Sequence, residues 1–389
     1  MSDKKPFLGA ILLISGTAIG AGMLAIPVAT SFAGFFPSLV LLTLVWFFFF
    51  LTAWLMLDVN LACERNVNFI GMVSHCLGKG AKIVCWITYL LLLYSLNAAY
   101  ISGSSSLFIQ GIGSLTGWTP PQWVGPLLPF FLFGIFVYLG TRAADRANRI
   151  LMVGLIAFYV LLVCFLSPRV ETSNLLPFHF SSVWLSLPIL FTSYGFHIII
   201  PTLTTYLNHD KKKLRLAIFI GSLVPLIVYI LWECLILGVA PLEGEHGLQM
   251  AWKEGDSCVV PVEYALHNPL IGTLANLFSF FAILTSFLGV SLSLSDFLAE
   301  GLNMRRFTWG RECACLLTFI PPLFFVYLYP KGFIMALQYA GLFVAILLCI
   351  FPALMAWTLP QYKSVSRRLL LYAIILASSL VVLSDFITK

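Results

Sequence analysis

A stretch near the start of the chain has three glycines and a threonine in seven positions, a composition that suits binding by main-chain atoms. Its sequence is Gly16-Thr17-Ala18-Ile19-Gly20-Ala21-Gly22. It lies inside an apolar run over 7–28 that is long enough to cross a bilayer. Glycine weakens a helix by about 1 kcal/mol relative to alanine, and irregular backbone within lipid is tolerated only in a protein interior or beside a cavity. The pattern therefore predicts a ligand site, although a close-packed helix pair would also use such small residues.

A second apolar run carries a similar interruption. Its residues are Thr192-Ser193-Tyr194-Gly195-Phe196-His197, and Pro201 follows. Pro201 lacks an N–H donor and blocks a carbonyl four residues earlier, so it favours the end of a half-helix. This run is the sixth of the chain, so it crosses the membrane in the opposite direction to the first. Two inverted repeats of five helices produce this arrangement and place a substrate near the midplane, between the interruptions.

The composition is that of a polytopic membrane protein. Of the 389 residues, 60% are hydrophobic and only 10% are charged, whereas soluble proteins carry about 25% charged residues. The apolar runs contain no pair of His, Asp or Glu three or four positions apart, and the nine cysteines fit no zinc or redox spacing. We therefore expect neither an enzyme nor a cofactor other than a coupling cation.

Eleven apolar windows predict transmembrane helices. They cover residues 7–30, 35–57, 82–110, 123–140, 150–167, 183–206, 216–239, 270–296, 313–329, 333–358 and 369–386. The predicted fold is an all-α polytopic membrane protein with a five-plus-five inverted repeat, discontinuous helices 1 and 6, and one extra C-terminal helix. Residues 1–167 form the first repeat, 183–358 the second, and 369–389 the eleventh helix and C-terminus, all within a single transport domain.

The distribution of lysine and arginine predicts the orientation. With the N-terminus in the cytoplasm, all but four of the 22 Lys and Arg residues fall in inner segments, as the positive-inside rule requires. The four exceptions are Arg169, Lys253, Lys331 and Lys389. The C-terminus is then on the outer side. The same bias accounts for the net charge of +6, so no nucleic-acid partner is expected.

Three segments resemble the bacterial aromatic amino acid permeases for tyrosine and tryptophan. Gly16 to Pro27 resembles their opening helix and Thr192 to Pro201 their sixth helix. Phe281 to Val290, followed by Asp296 to Ala299, resembles their eighth. The helix number and chain length also fit this family, which belongs to the amino acid–polyamine–organocation group. The resemblance implies the inverted-repeat fold of the bacterial leucine transporter.

The same resemblance implies the function and the location. The chain would import tyrosine or tryptophan across the bacterial inner membrane by cation-coupled alternating access, with a periplasmic C-terminus. An amino acid exchanger of the same group is the alternative. The partners implied are a small-molecule substrate and the lipid bilayer. The preference among tyrosine, tryptophan and phenylalanine and the oligomeric state are left open.

A zwitterionic amino acid needs a partner for each of its two charges. We expect the carboxylate at the N–H groups that open the second half of the first helix, and the ammonium at carbonyls freed in both interruptions. The main-chain residues expected to bind are Thr17, Ala18, Gly20, Ala21, Gly22 and Gly195, with the carbonyls over 192–194.

The aromatic side chain of the substrate needs an apolar pocket. Tyr194 and Phe196 are the first choices for this pocket, and Asn97 or His197 could hydrogen-bond a phenol hydroxyl or an indole N–H. The third helix also offers Tyr94 and Tyr100.

The coupling cation, H⁺ or Na⁺, is not distinguished by the sequence. The resemblance implies a sodium site, because Ala282, Thr285 and Ser286 have the spacing by which the eighth helix of the leucine-transporter fold supplies sodium ligands. The main chain of Gly16 and Ile19 would complete this set of oxygen ligands. The two hydroxyls could instead bond back to the preceding turn of their own helix.

Two ionisable residues are candidates for carrying a proton. His197 is the one histidine within the predicted windows, and an ionisable group at membrane depth is a functional candidate. A neutral structural histidine is the other interpretation. Glu233 lies close to the outer end of the seventh window, so we expect it to reach the interface and to take no part in coupling.

Overall fold

The computed structural model describes residues 4–64, 67–177, 179–306 and 308–387, and in these residues the regular structure is helical, without a strand. Ten of the described helices are long and apolar enough to cross a membrane, and a pair bent by 53° makes an eleventh when it is counted as one crossing. We number them spans 1 to 11 in chain order. They are Lys5–Ala18 with Gly22–Thr30, Phe35–Ala62, Phe69–Ser114, Gln122–Leu139, Arg142–Arg169, Ser182–Tyr206, Lys211–Val239, Pro269–Gly301, Gly310–Leu328, Phe333–Thr358 and Val365–Leu383. The predicted all-α polytopic class is confirmed.

Span 1 is broken where the glycines cluster. Its first helix ends at Ala18 and its second begins at Gly22. Beyond the break, the N–H groups of Met23 and Leu24 donate to carbonyls three residues back, at 3.1 Å each. The chain therefore turns tightly before the regular helix resumes. The helix Gly22–Thr30 is buried from Met23 onward, so the break lies inside the protein.

Span 6 is also interrupted, between two short helices. The helix Leu187–Ser193 is followed by a gap over 194–196, a 3₁₀ turn at His197–Ile199 and a helix over Ile200–Tyr206. Pro201 lies in the first turn of this last helix, where its missing N–H has no intrahelical partner to lose. The proline thus starts the second half-helix, whereas the sequence predicted that it would end the first.

Span 10 lies against the first half of span 6. The Thr192 hydroxyl donates to the Leu337 carbonyl at 2.9 Å, and a Cβ at Gly341 would collide with the Pro188 carbonyl. The two main chains are therefore in direct contact, which only a glycine permits at this crossing. Farther along span 10, Ala345–Ile350 forms a π-helix, a local widening that often accompanies functional sites.

Two segments differ from the predicted windows. Span 3 begins earlier than predicted and is kinked at Gly78, whose φ of 86° lies in the left-handed region. The segment between spans 7 and 8 carries two short helices, Leu248–Glu254 and Val259–Leu266. The Cys258 N–H donates to the Leu24 carbonyl at 3.1 Å, so this segment packs on the second half of span 1.

Asp58 ties together one end of the bundle, which we call the basic end. Its side chain is only 8% exposed, and its carboxylate lies 3.0 Å from the Lys211 ammonium and 3.3 Å from the Arg215 guanidinium. The Tyr362 hydroxyl donates to its other oxygen at 2.9 Å. Arg215 also lies over the Trp54 ring, 5.3 Å from its centroid. These contacts join spans 2 and 7 to the segment before span 11.

We expect Asp58→Asn to lower the free energy of unfolding by about 1–2 kcal/mol, because it removes the shared acceptor of two cations and a phenol. The effect stays moderate because both cations are partly exposed to solvent. Asp145→Asn is the matched control, since Asp145 and Arg149 form an exposed pair within one helix, worth at most about 0.5 kcal/mol. Thermal unfolding of the purified variants measures both, and equal losses would contradict the role given to Asp58.

Candidate functional site

The break of span 1 packs directly against spans 6 and 8. The Ala21 N–H donates to the Ser286 hydroxyl at 3.2 Å. A Cβ at Gly20 would run into the same hydroxyl, and a Cβ at Gly22 would lie 2.6 Å from the Ser193 hydroxyl oxygen. The glycines therefore let the broken main chain approach its neighbours with no side chain between them.

Two main-chain donors of this break have no partner among the described residues. The N–H groups of Gly20 and Gly22 make no hydrogen bond within the part of the chain that the structure describes. They flank Ala21, whose N–H is bonded to Ser286. Since the helix Gly22–Thr30 begins here, the positive end of its dipole adds to these donors. The arrangement suits an anionic group.

The carbonyls of the two breaks converge on one point. The Tyr229 hydroxyl oxygen lies 2.6 Å from the Ala18 carbonyl oxygen of span 1 and 2.9 Å from the Ser193 carbonyl oxygen of span 6. A phenol has a single proton, so it donates to one of them at a time. Two acceptors from separate breaks thus face the same small volume, which suits a group with several donors.

Span 7 supplies residues that the sequence reasoning missed. Tyr229 was not among the predicted site residues, and Trp232 donates its indole N–H to the Met23 carbonyl at 3.1 Å. Both residues are fully buried. Neither carries a local signal, because an aromatic residue in an apolar helix is ordinary core composition. Glu233, which was expected to reach the interface, is also fully buried.

The predicted aromatic residues are buried in the gap of span 6. Tyr194 and Phe196 are each 1% exposed, and the ring of Tyr194 packs edge-on to Tyr229 with centroids 5.3 Å apart. The Tyr194 hydroxyl has no hydrogen-bond partner among the described residues. Tyr100 of span 3 reaches the Ser286 side chain. Tyr194, Tyr100 and Tyr229 thus surround the two breaks.

His197 faces span 2. Its Nε2 lies 2.8 Å from the Thr52 hydroxyl, and its ring packs edge-on to Phe49 with centroids 5.4 Å apart. Its Nδ1 has no partner within the described residues. The structure therefore places this histidine on the side of span 6 that contacts span 2, and Thr52 satisfies one of its nitrogens.

Asn97 and Tyr94 form hydrogen bonds with other helices or within their own helix. Asn97 accepts from the Ser291 hydroxyl at 2.6 Å and donates to the Leu93 carbonyl at 2.9 Å, so both ends of its amide have protein partners. The Tyr94 hydroxyl donates to the Leu317 carbonyl of span 9 at 3.0 Å. Neither side chain contacts the two breaks in this arrangement.

Thr17 and Gly195, both predicted to bind the substrate, have different surroundings in the structure. The Thr17 side chain is exposed, and its hydroxyl donates to the Leu13 carbonyl at 2.7 Å, so it faces away from the break. Gly195 lies in the gap of span 6, where a Cβ would approach Leu348 of span 10 to 3.4 Å. Gly195 is therefore at the junction of spans 6 and 10.

The span 8 residues that were predicted to bind sodium have their hydroxyl and carbonyl oxygens close together. The Thr285 hydroxyl donates toward the Phe281 and Ala282 carbonyls at 2.9 and 3.1 Å, and the Ser286 hydroxyl donates to Ala282 at 3.1 Å. Of the span 1 residues in the set, Gly16 faces Met152. In span 1, the Ile19 N–H donates to the Ser15 carbonyl at 2.9 Å. The described residues contain no group of three His, Cys, Asp or Glu that could hold a metal ion.

Comparison of the sequence with protein families gives one clear match. The profile of the tryptophan/tyrosine permease family matches residues 3–383. Among similar proteins, the tyrosine-specific transport system 1 of Haemophilus influenzae is 35% identical over 356 residues, which are 90% of this chain and 87% of that protein. The tryptophan-specific transport protein of Pseudomonas aeruginosa is 32% identical over 361 residues, 91% of this chain and 87% of that protein.

Two solved structures share the fold. The structure of MhsT in complex with L-phenylalanine superposes with a TM-score of 0.62 at 14% identity, covering 98% of both chains. A manganese transporter of Eremococcus coleocola gives a TM-score of 0.64 at 13% identity, covering 97% of this chain and 85% of that one. At these identities the likeness establishes the architecture alone.

Proposed function

The chain belongs to the tryptophan/tyrosine permease family, and from this premise we propose that it imports tyrosine or tryptophan by cation-coupled alternating access. As a member of this family it is a transport protein rather than an enzyme, and it crosses the membrane several times. Similar proteins are named for the transport of tyrosine or of tryptophan, which supports an aromatic amino acid as the substrate.

The convergence of carbonyls at the two breaks carries this proposal. The ammonium of the substrate binds the Ala18 and Ser193 carbonyls, which already face one donor, the Tyr229 hydroxyl. An ammonium has three donors and serves both acceptors at once, whereas the phenol has one. A protonated amine that left water without such partners would be strongly disfavoured.

The carboxylate binds at the start of the second half of span 1. The free N–H groups of Gly20 and Gly22 donate to it, and the dipole of the helix Gly22–Thr30 adds a favourable field. No charged side chain is needed, because main-chain groups satisfy both ends of the zwitterion.

The side chain of the substrate packs among aromatic residues beside the breaks. Tyr194, Phe196 and Tyr100 are buried there, and large apolar rings favour edge-on or offset contacts with one another. The Tyr194 hydroxyl, which has no partner among the described residues, bonds the phenol hydroxyl of tyrosine or the indole N–H of tryptophan.

We propose that the protein lies in the inner membrane of a bacterium, with the basic end of the bundle facing the cytoplasm. The basis is the lysine and arginine bias, which leaves four of 22 such residues on the other side. A sodium ion, if it is the coupling ion, binds at Ala282, Thr285 and Ser286 with the main chain of Gly16 and Ile19.

Uptake by proteoliposomes tests the proposed function. Labelled tyrosine and tryptophan are supplied to vesicles under a sodium gradient and, separately, under a proton gradient. We expect accumulation of at least one amino acid under one of the gradients. Exchange of internal for external substrate without any ion requirement would instead indicate an exchanger, and movement of neither amino acid would contradict the proposal.

A further inference from the structure

One face of span 7 follows span 1 across its break and contacts it at three points. Tyr229, Trp232 and Glu233 lie three and four positions apart, which puts them on one side of the helix. Their partners in span 1 are the Ala18 carbonyl, the Met23 carbonyl and the Thr30 hydroxyl. The substrate site described above does not use the contact between Glu233 and Thr30.

Glu233 is a buried carboxyl without a cationic partner among the described residues. Its side chain is fully buried, and one of its oxygens has no hydrogen-bond partner among the described residues. None of the ion pairs formed by the described residues involves it. A carboxylate removed from water in this way is strongly disfavoured relative to the neutral acid.

The titratable groups that face Glu233 cannot supply a positive charge. Among the described residues they are the Tyr194 phenol, the Cys234 thiol and the Cys258 thiol of the segment between spans 7 and 8. Burial raises the pKa of the Cys258 thiol above its usual range, so this group stays neutral. Ser38 of span 2 also faces the carboxyl. Because phenols and thiols are either neutral or negative, none of them offsets a charge on Glu233.

The two contacts of the Thr30 hydroxyl are both satisfied when Glu233 carries a proton. The Thr30 hydroxyl oxygen lies 2.7 Å from the Ile26 carbonyl oxygen and 2.5 Å from a carboxyl oxygen of Glu233. The hydroxyl has a single proton, and a carbonyl can only accept. The hydroxyl can therefore donate to either oxygen, but to only one at a time. A protonated Glu233 makes both contacts hydrogen bonds, because the acid donates to Thr30 while Thr30 donates to Ile26.

We propose that Glu233 is the proton-binding site that couples transport to a proton gradient, an inference that rests on the proposed function. When the outer side is open, a hydronium ion of the outer water breaks one of its O–H bonds, and the proton forms a new O–H bond that converts the carboxylate to the acid. Only the acid can donate to Thr30, so the second half of span 1 closes onto span 7 with the proton in place. After the substrate leaves inward, the O–H bond breaks and the proton passes to water in the emptied site, one helical turn away at Tyr229.

Glu233→Gln tests this assignment, because glutamine keeps the shape and the donor of the acid but cannot release a proton. In proteoliposomes at equal pH on both sides, we expect exchange of labelled tyrosine or tryptophan within about twofold of the wild type, with no pH dependence. With one proton carried per substrate, a gradient of one pH unit supports about tenfold accumulation by the wild type. We expect no accumulation by the variant.

Glu243→Gln is the matched control, since Glu243 is an exposed carboxyl beyond the end of span 7. It should retain both exchange and proton-driven accumulation. Proton-driven accumulation by Glu233→Gln would overturn the proposal, as would loss of exchange in a variant that elutes as folded protein. Accumulation by the wild type under a sodium gradient alone would also overturn it.

Infrared spectroscopy separates this proposal from the transport function. A protonated, buried carboxylic acid gives a carbonyl stretching band distinct from that of carboxylates, and we expect this band in the wild type at neutral pH. It should be missing from Glu233→Gln and present in Glu243→Gln. If the wild type transports neither amino acid, the proposed function fails, whereas absence of the band from a transporting wild type overturns only the role of Glu233.

Discussion

Gly20→Val is expected to weaken binding of tyrosine and tryptophan about five- to 150-fold, because overpacking of this order costs about 1–3 kcal/mol. A side chain at this position would run into the Ser286 hydroxyl and break its contact with the Ala21 N–H. It would also cover the Gly20 N–H, one of the donors assigned to the carboxylate. Equilibrium binding of labelled substrate to purified protein measures the loss.

Gly289→Val is the matched control for this substitution. Gly289 lies on the same span as Ser286, one turn away, and a Cβ there would have no neighbour within 4 Å. We expect this variant to bind as the wild type does. Wild-type affinity in folded Gly20→Val would contradict the placement of the carboxylate at the break of span 1.

Tyr229→Phe is expected to lower the stability of the substrate-free protein by about 1–3 kcal/mol, because it leaves two buried carbonyls without a donor. Saturating tryptophan or tyrosine should restore most of this loss, since the substrate ammonium bonds the same Ala18 and Ser193 carbonyls. Thermal unfolding with and without substrate measures the difference.

Tyr159→Phe provides the comparison for Tyr229→Phe. The Tyr159 hydroxyl donates to the Val228 carbonyl of span 7 at 3.2 Å and not to a carbonyl of either break, so its loss should not be repaired by substrate. An equal response of the two variants to substrate would show that Tyr229 has no special relation to the binding site.

The two breaks could be located from the sequence because their signal is local. Glycine and small polar residues are unusual in the centre of an apolar run, and the lipid environment leaves few explanations for them. The stretches around Gly20 and Tyr194 therefore identified the main-chain atoms that meet in the structure. The long apolar helices could be predicted from hydropathy for the same reason.

The partners of the breaks could not be located in this way. Tyr229 and Glu233 lie in an ordinary apolar helix, and their contacts with span 1 depend on how spans 1, 6 and 7 pack. Burial of Glu233 was misjudged because distance along a helix from its end does not show what covers that end. Here the segment containing Cys258 covers it, through short helices with too few residues for a recognisable period.

Side chains with polar groups at membrane depth were the least predictable. Asn97 and His197 have the chemistry to bind a phenol or an indole, and the same groups equally satisfy neighbouring helices. The structure gives them Ser291 and Thr52 as partners. Only the packing of spans 2 and 8 decides between these uses, and no spacing within one helix encodes it.

The most direct measurement is an experimental structure of the protein with bound tryptophan or tyrosine. We expect the carboxylate within hydrogen-bond distance of the Gly20 and Gly22 nitrogens, and the ammonium beside the Ala18 and Ser193 carbonyls. Substrate bound elsewhere, for example in the cavity between spans 3, 8 and 10 that Lys331 helps to line, with both breaks unchanged, would contradict the central claim.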